Sequence, residues 1–127
     1  MGPIDVHLQR LKERFPDATS REQPGLGCII TLPQLSLPAG WNKQSCRVAF
    51  IAPQGYPYAK PDCFWTDQDL RLASRPGQLP QNTRMNPVAP ELASMLWFSW
   101  HTNHWNASRD DLLTWVASIR ARLSRLS

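Results

Sequence analysis

Twelve prolines are scattered through 127 residues. A proline inside a helix removes a hydrogen bond and clashes with the preceding turn, and in a central strand it breaks the ladder. A bundle of long helices is therefore excluded. The prolines fall mostly between stretches with a regular apolar period. Short elements joined by stiff loops are the consequence. The length suits one domain with a single core. An apolar share of 42%, with six Trp, argues for a packed globular chain.

Between the prolines the periodicities are legible. Ile4, Leu8, Leu11 and Phe15 recur at helical spacing, with Gln9, Arg10, Lys12, Glu13 and Arg14 between them. Pro16 ends the pattern, because the residue before a proline is pushed out of helical geometry. Residues 4–14 are thus expected to form an amphipathic helix with one apolar and one basic face. Residues 17–25 are polar and rich in turn formers. Strands are expected over residues 26–32 (LGCIITL), 45–52 (SCRVAFIA) and 62–66 (DCFWT). Residues 53–61 hold three prolines and read as a loop, and residues 67–90 have few apolar positions and no strong period. So long an irregular stretch often marks a functional surface.

Residues 91–95 suit a short helical turn. Ser108 is placed to cap a last helix, with Asp111 three residues on where a capping box wants an acid. Leu112, Val116, Ile119 and Leu123 mark one face of that helix, and Arg120, Arg122 and Arg125 suit its C-terminal end. Helices at the two ends of an antiparallel meander make an α+β fold.

Composition narrows the partners. The net charge of +4 comes mainly from Arg, eleven of fourteen basic residues, and these are dispersed rather than gathered on one face. A nucleic-acid binder would cluster them, so an acidic protein partner is the better expectation. The three cysteines, at positions 28, 46 and 63, form no CxxC. An odd, dispersed set implies neither a disulfide framework nor a zinc cluster. Cys28 and Cys46 lie in expected strands, where cysteine acts as a small hydrophobe. No apolar run reaches membrane-spanning length and no charged-then-apolar leader opens the chain. A reducing, cytoplasmic setting follows as the expectation, with neither membrane nor nucleic acid as partner.

Residues 97–106 concentrate the chemistry. They hold Trp97, Trp100, Trp105, His101 and His104, which is three of six Trp and two of three His. The two histidines are spaced as on one helical turn, and Asp110 or Asp111 would add a carboxylate. A metal site needs three or four convergent ligands, and no acidic residue lies between the histidines. No metal or cofactor is therefore assigned. An unrelated α+β domain with a His-based metal site stands as an alternative reading.

Several motifs carry a family resemblance. The run Tyr56, Pro57, Tyr58, Ala59, Lys60, Pro61 resembles the proline-rich loop that follows the early strands of the ubiquitin-conjugating (UBC) fold. Asn86 and Pro87 match part of its His-Pro-Asn element, and Trp105 ahead of a helix matches the Trp beyond its active site. Leu37 to Trp41, Gly55 to Pro57, Pro61 to Trp65, and the segment from Phe98 to Leu112 resemble the prokaryotic ubiquitin-conjugating-like family E. The resemblance spans nearly the whole chain. It implies a UBC-like fold and a place in a bacterial ubiquitin-like conjugation pathway. The implied partners are a ubiquitin-like modifier, an adenylating activating enzyme and a JAB-type metallopeptidase. By the same analogy Arg10, Lys12 and Arg14 dock the activating enzyme, while Trp100 and Trp105 offer partner-binding surface.

One departure bears on mechanism. Counting back from Trp105, the position the resemblance reserves for a catalytic cysteine holds Trp97, and no cysteine follows Cys63. A thiolate is nucleophilic near neutrality and its acyl thioester stays reactive. An alcohol needs a base and a stabilised oxyanion to do the same work. Ser99 is the best-placed hydroxyl, with Ser94 and Thr102 behind it. In an extended segment Ser99 and His101 face one side, so His101 is the candidate base for an oxyester-forming Ser99. His104 is a weaker candidate, and Asn86 and Asn103 are candidate oxyanion donors. Without such chemistry the chain would be an inactive UBC-like adaptor that binds the modifier or the activating enzyme.

Overall fold

The computed structural model describes residues 2–127. Helix α1 spans Pro3–Arg14. The Asp5 carboxylate accepts the Gly2 N–H at 3.0 Å, and Pro3 opens the first turn, where no donor is needed. Six strands follow: β1 Thr19–Gln23, β2 Gly27–Ser36, β3 Ser45–Pro53, β4 Phe64–Asp67, β5 Thr83–Met85 and β6 Met95–Phe98. A 3-10 turn over Pro90–Leu92 lies between β5 and β6, and helix α2 spans Leu112–Leu123. All pairings are antiparallel, in the order β1-β2-β3-β4-β6-β5. The fold is α+β and UBC-like, as expected.

Three corrections concern the strands. There are six among the described residues rather than three. Residues 19–23 pair as β1 although they read as a turn, because TSREQ has no apolar face. The meander also stops at β4, since β6 inserts between β4 and β5. Residues 91–95 run from the end of the 3-10 turn through a turn at residues 93 and 94 to the first residue of β6.

The sheet is covered on both faces. Under the helices lie Ile30, Leu32, Val48, Phe50, Phe64 and Phe98, packed with Leu11 of α1 and Trp115, Val116 and Ile119 of α2. The opposite face holds Ile29, Ala49, Trp65 and Met95, closed by Ala89 and Leu92 of the 3-10 segment. A continuous row crosses this face: Thr31, Ala49, Trp65, Trp97 and Arg84. Its outer end is the Arg84 guanidinium, 4.5 Å above the Trp97 ring.

Two helix details also differ from expectation. The cap of α2 is Asp111, not Ser108: Asp111 accepts the Thr114 N–H at 3.0 Å, and Thr114 Oγ1 accepts the Asp111 N–H at 3.0 Å. Ser108 instead donates to Asn106 Oδ1. On α1 the basic residues do not share a face. Positions four apart align on a helix and positions two apart oppose. Arg10 thus lies above Arg14 and reaches Asp111 at 3.7 Å, whereas Lys12 lines a groove with Asp5, Gln9 and Ser20 of β1.

Candidate active site

The site forms where the β4–β6 ladder runs out. The last strand pair is Phe64–Phe98, two stacked rings with centroids 4.8 Å apart and no exposed surface. Beneath Phe98 lies the almost fully buried Arg122 guanidinium, 5.0 Å from the ring, donating to the Gln81 and Ser127 carbonyls. This floor fixes the residue after Phe98, which is Ser99. Ser99 N–H donates to the Asn82 carbonyl at 2.9 Å, and Cys63 N–H to the Trp100 carbonyl at 2.8 Å. Backbone bonds thus hold both flanks of the segment.

Three side chains converge here. Ser99 Oγ lies 3.3 Å from His101 Nε2, the loose end of hydrogen-bond range. Asp62 Oδ1 lies 2.5 Å from His101 Nδ1. The order carboxylate, imidazole, hydroxyl is that of a base-activated nucleophile with the base oriented by a third group. The His101 and Asp62 side chains are 59% and 50% exposed, so the array lies open to solvent.

Asp62 joins this array although its sequence context marks it only as the start of a strand. The relevant signal is the pairing of β4 with β6, which brings residues 39 positions apart together. Cys63 is also adjacent. It is buried, and its φ of 63° is left-handed, which a residue with a side chain rarely adopts. Burial pushes its thiol pKa up. The same cause raises Cys28 and lifts Cys46 to about 12. None of the three is poised as a thiolate.

The other candidates lie apart. Ser94 is exposed before β6, at the opposite end of that strand from Ser99. Asn86 lies just past β5, at the opposite end of that strand from the Asn82–Ser99 pair. Its carbonyl accepts the Trp65 indole N–H. Asn103 and His104 are exposed, and the His104 N–H donates to Thr102 Oγ1. The Thr102 carbonyl accepts from Lys60. Asp110 accepts the Asn106 N–H, and Asp111 caps α2, so neither meets His101 and His104 in a common shell.

Trp100 and Trp105 are partly buried struts. The Trp100 indole N–H donates to Ser118 of α2 at 3.0 Å. That of Trp105 donates to the Pro57 carbonyl at 2.7 Å, beside the Tyr56 ring. Tyr56 in turn bonds His7 Nδ1 at 2.6 Å, and burial lowers the His7 pKa.

A helix, a covered antiparallel sheet, a proline-rich loop braced by Trp105, and a closing helix define a protein of the ubiquitin-conjugating-like class. The chain belongs to prokaryotic E2 family E, whose family model matches residues 8–126. No curated protein and no solved structure matches it. Membership places the chain in a bacterial ubiquitin-like conjugation pathway. No helix among the described residues is long and apolar enough to cross a membrane.

Proposed function

We propose that this chain accepts a ubiquitin-like modifier on Ser99 as an oxyester and passes it on. The observation that carries the reading is the Asp62–His101–Ser99 array in a member of an E2 family. Ser99 Oγ attacks the carbonyl carbon of the modifier's activated C-terminus. The new C–O bond replaces the C–S bond to the activating enzyme, and the Ser99 proton passes to His101 Nε2. His101 returns a proton to the departing thiolate. Asp62 keeps the His101 ring oriented and supports its charged form. The modifier and an adenylating activating enzyme are the partners of this step, with a JAB-type metallopeptidase acting in the same pathway in the cytoplasm. Arg10 and Arg14 face the activating enzyme.

Intact mass after incubation with modifier, activating enzyme and ATP tests the reading. The expected product is one modifier adduct, cleaved by hydroxylamine and absent in Ser99→Ala. Ser99→Cys should form an adduct that thiols also cleave. An adduct that persists in Ser99→Ala refutes the assignment. No adduct, with a stable complex on the activating enzyme, makes the chain a binding adaptor.

A further inference from the structure

We propose that Asp62, Cys63 and His101 form a zinc site whose occupation silences Ser99. One ligand atom from each of the three residues lies within 4.8 Å of the others. Among the described residues no other group of three His, Cys, Asp or Glu side chains comes so close. Zinc bonds to nitrogen, oxygen and sulfur are about 2.0–2.3 Å long, which sets ligand atoms roughly 3.3–3.8 Å apart in a tetrahedron. Side-chain adjustments of about an ångström therefore close the shell.

The backbone is arranged for this convergence. Neighbouring residues of a regular strand face opposite sides. The left-handed φ of Cys63 breaks that alternation just where β4 begins, so its thiol and the Asp62 carboxylate come together. The Cys63 N–H bond to the Trp100 carbonyl fixes this turn against the segment that carries His101. A cysteine that gives up its proton as the metal binds, one imidazole and one carboxylate suit a borderline-soft divalent ion, and three protein ligands leave a fourth position open. Asp62 and His101 are exposed enough to give that position to solvent.

The outer shell is present as well. His101 faces Asp62 with Nδ1, while Nε2 is held by Ser99 Oγ. A metal-bound imidazole keeps its remaining proton on the other nitrogen. With zinc on Nδ1, Nε2 carries that proton and donates to Ser99 Oγ, so it cannot accept the Ser99 proton. One ring thus serves either the metal or the acyl transfer. The silencing rests on the function proposed above, whereas the binding does not.

Metal-free protein titrated with cobalt(II) tests the site, followed by zinc(II) as competitor. One equivalent should produce a thiolate-to-cobalt band in the near ultraviolet, and one equivalent of zinc should remove it. Cys63→Ala should lose the band, and Asp62→Asn should weaken binding at least tenfold. His104→Ala should bind as the parent does, whereas Ser99→Ala, which removes the outer-shell partner of His101 Nε2, should bind about tenfold more weakly. Absence of the band in the parent, or its persistence in Cys63→Ala, overturns the site. Circular dichroism of each variant confirms folding, and the exposed Asp62 variant keeps the test decisive if Cys63→Ala does not fold. For silencing, protein loaded with one equivalent of zinc and desalted should form the Ser99 adduct at least tenfold more slowly, with recovery on chelation. An unchanged rate overturns the silencing. A cobalt site in a chain that never acquires the adduct, even metal-free, upholds the site and refutes the acyl-transfer reading alone.

Discussion

Replacing Asp62 by Asn isolates the contribution of its charge to Ser99 chemistry. The amide oxygen can still accept from His101 Nδ1, so the ring keeps a partner, and what is lost is the negative charge. A carboxylate and an imidazolium about 4 Å apart attract by about 1 kcal/mol in water and about 4 kcal/mol at an effective surface dielectric. Asp62 and His101 are each at least half exposed, which selects the lower end, about 1–2 kcal/mol. At about 1.4 kcal/mol per factor of ten, single-turnover formation of the Ser99 adduct should slow about 5- to 30-fold. In a buried triad the same change costs about 10⁴-fold. The assay is rapid quench with pre-charged activating enzyme, in metal-free buffer, with Ser99→Ala as the zero. A rate within twofold of the parent would show that Asp62 does not support the charged ring. A loss as complete as that of Ser99→Ala would show that the array works in a closed, dry state and not the open one described.

Other substitutions probe the scaffold and its surfaces. Phe98→Ala removes a fully buried ring from the stack on Phe64 and should cost about 3–5 kcal/mol in denaturant unfolding. Trp41→Phe deletes the donor to the Leu123 carbonyl, a buried 2.7 Å bond, and should cost about 1–3 kcal/mol in the same assay. Two hydrogen bonds from Arg21 lower the Glu91 carboxyl pKa to about 2, below its ordinary 4.5. A depressed carboxyl stabilises the fold above its ordinary value, and that contribution fades as pH falls from about 4.5 to about 2. Glu91→Gln should therefore melt below the parent at neutral pH and alongside it near pH 2. Arg14→Glu should slow association with the activating enzyme more than Lys12→Glu does, with a steeper salt dependence. Equal effects would contradict the opposed placement of the two side chains.

Elements with a one-sided apolar period were legible in the sequence. Helix α1 and strand β3 fall within a residue of expectation because Leu8, Leu11, Val48 and Phe50 repeat at the right spacing. β6 was hidden for the opposite reason: Met95, Leu96 and Phe98 are buried on a sheet covered from both sides, so no alternation survives. β1 was hidden because an edge strand of Thr, Ser, Arg, Glu and Gln carries only its ladder. At the site, the nearness of Ser99 and His101 follows from a two-residue spacing. Asp62 does not, since its approach depends on which strand lies beside β4. The Ser108 cap failed because Asp111, with Thr114 three residues on, offers a reciprocal pair closer to the apolar face.

The edges of the sheet carry a consequence of their own. One border is TSREQ, entirely polar, with Arg21 tied across to Glu91; the other is the three-residue β5, with Arg84 folded over Trp97. Short or charged borders make poor templates for further strands. A second copy of the chain therefore finds little along this perimeter with which to extend the ladder.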